Sequence, residues 1–179
     1  MDQAIQQLID RQSILDCMTR YCRGVDRRDH DLISSVYHPD AIDDHGAFVG
    51  SREEFVEWGR LRNETGPITT QHHITNHSCE IDGDIAHAET YYLFNARNRD
   101  ETLVAAGGRY VDRLERRDGE WRIAQRYCLV EWAGTIDATA IPFADIPDVH
   151  ATGAPARDRS DPSYLRPLVN QRDRRFPKI

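Results

Sequence analysis

Residues 70–95 read TQHHITNHSCEIDGDIAHAETYYLFN, and this stretch decides the fold. Thr70 to Ile81 is one extended run, ending in Asp82-Gly83-Asp84, a tight-turn signal between two patterned segments. From Ile85 to Asn95 the period is two: Ala86, Ala88, Thr90 and Tyr92 alternate with Ile85, His87, Glu89 and Tyr91. A hairpin of two long strands is expected. Thr102–Arg116 predicts a third strand, and Arg117-Asp118-Gly119-Glu120 turns it into a fourth over Trp121–Trp132.

Upstream of this stretch the period is helical. From Ala4 to about Gly24, Ile14, Met18, Tyr21, Cys22 and Val25 fall on one face, with Gly24 as the expected stop. A second helix is predicted over Asp29–Tyr37, broken by His38-Pro39-Asp40 because proline cannot continue a helix. Ala41–Val49 reads as a short hairpin turning at Asp44-His45-Gly46. Ser51 opens a third helix to about Arg62: Glu54 completes a capping box, and Phe55 and Trp58 supply the buried side. Helices first and a strand meander after them predict an α+β fold, with the helices on one face of a curved antiparallel sheet.

Residues 1–132 account for this domain. The remaining 133–179 hold six of the eight prolines and little periodicity. They also carry Ile141, Phe143, Ile146, Tyr164, Leu165, Leu168 and Phe176, too many apolar side chains for a solvated tail. This extension is expected to lie across the domain or a neighbouring subunit.

Composition narrows the function. A net charge of −7, without a Lys/Arg stripe interleaved with aromatics, argues against nucleic acid as a partner. No apolar run approaches the roughly 18 residues of a membrane span. The first residues, MDQAIQQLIDRQ, lack the pattern of a signal peptide, so the expected compartment is the cytoplasm. Cys17, Cys22, Cys79 and Cys128 form no C-x-x-C pair and read as small buried hydrophobes. G-x-S-x-G, G-x-G-x-x-G and P-loop patterns are missing, and Gly107-Gly108 marks a bulge or bend within a strand.

A few polar residues stand out. Tyr21 lies on the apolar face of the first helix, so its hydroxyl needs a partner. Asp26 follows five residues later; it reads either as a cap or loop residue or as a carboxylate near that tyrosine. His72, His73 and His77 cannot all sit dry in a strand without partners. By strand parity His73 and His77 share a face and His72 takes the other, which disfavours a metal site with no third ligand fixed by the sequence. One imidazole with a carboxylate behind it suffices for a general base, and Asp26 is the candidate acceptor. Arg126, mid-strand, is either a surface residue or a fixed cation for a developing anion.

Taken together, these stretches resemble the SnoaL-like branch of the nuclear-transport-factor-2-like superfamily over about residues 5 to 132. The resemblance is carried by Tyr21-x-x-x-x-Asp26, by His72-x-x-x-Asn76 leading into Ile81-Asp82-Gly83-Asp84, by Gly107-Gly108-Arg109-Tyr110, and by Glu115 to Ile123. It implies a cone-shaped α+β barrel of the cystatin-like kind. Within the branch the chain looks most like bile-acid 7α-dehydratases, hexachlorocyclohexane dehydrochlorinases and, more distantly, scytalone dehydratase. Position by position it places the aspartate of an Asp–His pair on Asp26 and the histidine on His72, with the neighbouring His73 as the alternative. The tyrosine falls on Tyr21 and the arginine on Arg126.

The resemblance implies a cofactor-independent lyase, with neither metal nor organic cofactor. His72 would take a proton from carbon, Asp26 would hold its tautomer, and Tyr21 and Arg126 would bind the leaving group. His73 and Tyr92 are expected as further substrate contacts. The expected partner is a mainly apolar, hydroxylated ring compound: a steroid, a lignin-type aromatic or a polyketide. Carbon–carbon cleavage releasing a small aldehyde, isomerisation, and a non-catalytic module like a dioxygenase small subunit stay open. A homotrimer, or a dimer, is the expected assembly.

Overall fold

A computed structural model describes residues 3–62, 65–137, 155–170 and 172. Helix α1 (Gln3–Arg27) is followed by α2 (His30–Ser35), strands β1 (Tyr37–Asp44) and β2 (Val49–Ser51), and α3 (Arg52–Leu61). Four long strands complete the domain: β3 (Thr69–Asp82), β4 (Ile85–Arg97), β5 (Leu103–Arg117) and β6 (Glu120–Ile136). The six strands form one curved sheet in the order β2-β1-β6-β5-β4-β3. The sheet is open, since its edge strands β2 and β3 do not pair. One pairing departs from the expected antiparallel meander: β1 runs parallel to β6. β1 follows α2 directly and pairs with the last strand, β6.

Helix α1 lies on the concave face. Ile14, Cys17, Met18, Tyr21 and Cys22 are buried there against Ala86, Ala88, Tyr92, Tyr110, Leu114 and Ile123. Asp10 pins the start of this contact, accepting from the Trp121 indole at 2.9 Å and from Arg116 at 3.0 Å. The capping box of α3 forms as its sequence predicts, with Ser51 and Glu54 each satisfying the other's backbone N–H. On the outer face Tyr91, Leu93, Leu129 and Trp132 are exposed.

Gly24 does not end α1. The helix runs one turn further, and Arg28 takes the left-handed conformation (φ 51°) that stops it. Gly24 serves close packing instead: a Cβ there would stand 2.9 Å from Cγ1 of Ile33 on α2. The second helix is shorter than expected because Tyr37-His38-Pro39 belongs to β1, where His38 bonds the Glu115 carbonyl at 2.9 Å. Among the described residues no helix is long and apolar enough to cross a membrane. Ile141, Phe143, Ile146 and Phe176 of the extension lie outside the described residues.

Candidate active site

The extra turn of α1 brings Asp26 against His72, which lines a cavity of about 440 Å³. Its lining is mostly apolar, with Val25, Ile33, Phe55, Trp58, Phe94 and Val130 among the wall residues. Tyr21, Tyr92, His30, His45, His72 and Cys128 supply polar atoms. A few polar groups in an apolar wall are what orients a small molecule. Arg28, Arg62 and Arg157 also line the cavity, with no carboxylate among its described lining residues.

Asp26 and His72 are clamped together twice. The backbone N–H of His72 donates to Oδ2 at 2.9 Å, and ring Nδ1 meets Oδ1 at 2.6 Å. Thr70 donates its hydroxyl to the same Oδ1 at 2.9 Å. These donors matter because the carboxyl end of a helix is its negative end and does not welcome a carboxylate. An Nδ1–H aimed at the carboxylate fixes the tautomer and leaves the lone pair on Nε2. The pair is partly open, with side-chain exposures of 11% for His72 and 13% for Asp26.

A bulge decides which histidine faces inward. Ile74 pairs with Tyr92, but His77 pairs with Thr90, so β3 carries one extra residue between them. His72 thereby sits opposite Phe94 on the inner face, and its ring packs 4.9 Å from that phenyl ring. His73 is exposed on the outer face and does not line the cavity, contrary to its expected contact with substrate. Parity had grouped His77 with His73; across the bulge His77 turns inward like His72 and bonds Thr90 at 2.8 Å.

Arg126 is also not where the leaving-group role would put it. It is fully buried behind the wall, with Asp112 accepting from Nε at 2.7 Å and from Nη2 at 2.8 Å. Its guanidinium is sandwiched between the Tyr21 ring at 4.1 Å and the Tyr110 ring at 4.3 Å. Tyr21 stands between this cation and the cavity. Burial raises the Tyr21 phenol well above its usual range, with Arg126 pulling the other way, so the hydroxyl stays protonated. Tyr92 lines the cavity as expected, and its hydroxyl donates to the Leu129 carbonyl at 3.4 Å.

The sequence reading missed His45. It emerges from the turn between β1 and β2, its ring stacked on Phe55 at 5.1 Å, with Nδ1 bonded to Asp43 and Nε2 3.3 Å from the Tyr21 hydroxyl. The only signal was the spacing Asp43-Asp44-His45, which reads equally well as a turn. His30 was missed too; burial lowers its pKa, and its buried Nδ1 has no hydrogen-bond partner among the described residues.

The extension reaches this site. Arg157 donates to the carbonyls of Val25 and Asp26 at 3.2 Å each and to that of Pro67 at 2.9 Å. Burial, then the nearby Arg28, lowers its pKa to about 10. The turn Pro162–Tyr164 follows, where Tyr164 donates to Asp29 at 2.8 Å.

The model of the SnoaL-like domain family matches residues 6–127. Among curated proteins none matches by sequence. Solved structures do. A type 2 hexachlorocyclohexane dehydrochlorinase (LinA) superposes with a TM-score of 0.72 at 19% identity, covering 78% of this chain and 97% of that one. A protein of Novosphingobium aromaticivorans provisionally assigned as a scytalone dehydratase gives 0.69 at 18% identity, over 77% and 95%. Rv3472 of Mycobacterium tuberculosis, of unknown function, gives 0.66 at 22% identity, over 82% and 86%. At these identities the likeness is one of fold.

Proposed function

The chain belongs to the SnoaL-like domain family, and from that premise we propose that it is a cofactor-independent lyase working through Asp26 and His72. The observation that carries this reading is the double clamp of Asp26 on His72 at the wall of an apolar cavity of about 440 Å³. His72 takes a proton from a carbon of the substrate through Nε2, while Asp26 keeps Nδ1 protonated and stabilises the imidazolium that forms. The electrons of that C–H bond form a double bond, and the adjacent carbon–oxygen bond breaks. Tyr21 meets the departing oxygen.

The cavity suits a mainly apolar, hydroxylated ring compound, since Val25, Ile33, Phe55, Trp58, Phe94 and Val130 give it an apolar wall and Tyr21, His72 and Tyr92 give it fixed polar groups. Low polarity also strengthens the few charged contacts that remain. The test is a screen of hydroxylated steroids, lignin-type aromatics and polyketides, with product identified by mass. Loss of water supports elimination; release of an aldehyde or an unchanged mass redirects the dyad to carbon–carbon cleavage or isomerisation. Asp26→Asn and His72→Ala should both abolish turnover while the fold is kept. Full activity in both variants sinks the dyad.

A further inference from the structure

Behind Tyr21 runs a chain of buried ionisable groups that the elimination described above does not use. Asp112 and Arg126 pair bidentately, and neither side chain is exposed. Arg126 reaches the Tyr37 hydroxyl at 3.5 Å, and Tyr37 donates to Oδ2 of Asp43 at 2.5 Å. Asp43, also without exposure, bonds Nδ1 of His45 through its other oxygen. His45 then presents Nε2 to the Tyr21 hydroxyl at the cavity wall.

The charges in this chain favour a protonated imidazole. Two carboxylates and one guanidinium leave one negative charge, and an unbalanced buried charge is strongly disfavoured. A protonated His45 closes the sum to zero. The groups facing its ring agree: Asp43 from β1, Tyr21 from α1 and Cys128 from β6, with only the Phe55 and Trp58 rings from α3. Burial alone would lower the pKa of His45, yet Asp43 and then the nearby Cys128 raise it to about 9.

The geometry points to His45 as the acid of the pocket, a second histidine, held cationic by Asp43, that delivers a proton through Tyr21 to the oxygen departing from the substrate. This assignment rests on the elimination proposed for Asp26 and His72. As the carbon–oxygen bond breaks, its electron pair goes to oxygen, which takes the proton of the Tyr21 hydroxyl. Tyr21 takes the Nε2 proton of His45 in turn, leaving a neutral imidazole still donating from Nδ1 to Asp43. His72 has meanwhile gained the proton from carbon. One proton is taken, one is given, and water leaves; transfer from His72 to His45 through solvent resets the enzyme. The two histidines thus work as opposites in one cavity.

The test uses the whole protein and two readouts. Ring nitrogen-15 spectra, with the His45 signal identified by its loss in His45→Gln, should show both nitrogens protonated at about pH 7.5. The ring should be neutral there in Asp43→Asn. The second readout is the carbonyl carbon-13 shift of indanone, an apolar ketone that does not titrate. In the wild type it should move downfield on binding and return as pH passes about 9, the pKa of His45. His45→Gln and Tyr21→Phe should lose the displacement; His72→Ala should keep it. A neutral His45 ring at about pH 7.5, or an unchanged displacement in His45→Gln, overturns the assignment. Exclusion of indanone from the wild type counts instead against the apolar-substrate reading, and the ring spectra then rule on His45 alone. Full turnover in His72→Ala counts against the base, whatever His45 does.

Discussion

Two histidine–aspartate pairs face the same cavity, and their surroundings differ. Asp26–His72 joins the end of α1 to the inner face of β3, is partly open, and has its carboxylate satisfied by neutral donors from Thr70 and the backbone. Asp43–His45 sits on one short turn; its aspartate is fully buried and tied through Tyr37 to Arg126. The same two residue types therefore meet opposite demands. In the elimination proposed above, the aspartate of the first pair orients a ring that accepts a proton. In the second the aspartate belongs to a buried charge balance that requires the ring to carry one. Environment, not residue identity, divides base from acid.

The comparison breaks most visibly in activity. Asp26→Asn or His72→Ala should lower kcat of an identified substrate by about 10²–10⁴, the range of a general base, with circular dichroism unchanged. Stability should respond the other way round. Arg126→Met strands the buried Asp112 carboxylate and should cost about 3–5 kcal/mol in urea unfolding. His72→Ala should cost far less, because its pair is partly open.

Next in size is a pH effect of the buried pair. The folded pKa of His45, about 9, lies above its ordinary 6.5. Its contribution to stability is complete below that lower value and is lost as pH rises towards the upper one. The loss has a slope near 1.4 kcal/mol per pH unit, read by urea unfolding as a function of pH. His45→Gln should flatten this slope.

Two smaller changes reach only the open pair. Gly24→Ala pushes α1 off Ile33 and should cost about 1–3 kcal/mol by overpacking while shifting Asp26. Arg157→Ala removes donors to the Val25, Asp26 and Pro67 carbonyls. It should change stability by about 1 kcal/mol or less, with its main effect on KM.

Much of the frame was legible in the sequence because it rests on period and punctuation. The 3.6-residue face of α1, the Ser51/Glu54 box and the Gly83 and Gly119 turns all have local causes, and they form where the sequence puts them. Misreadings arose where distant packing decided the outcome. Gly24 looked like a stop because nothing nearby in sequence reveals Ile33 against it. Tyr37 looked like the end of a helix and His38-Pro39-Asp40 like its break because their partner strand lies more than eighty residues downstream. The Tyr21–Asp26–His72 spacing pointed to a site; Tyr21 and His72 line one cavity, and Asp26 is bonded to His72. Arg126 carried the right charge but faces away from the cavity into Asp112, a contact made across β5 and β6 that no spacing announces. His45 was hidden for the complementary reason: its turn is local, and the buried chain behind it is not.

The bulge in β3 gives the doublet His72-His73 a further meaning. Relative to the Gly83 turn, the extra residue between Ile74 and His77 sets His72 opposite Phe94; a straight ladder would set His73 there instead. Both frames therefore offer an imidazole to the same point of the cavity. In most strands a slip of one residue exchanges every inward side chain for its neighbour and erases a site. Here the inward position keeps its chemistry in either frame, so the doublet makes this strand redundant at the one place where a miscount would matter most.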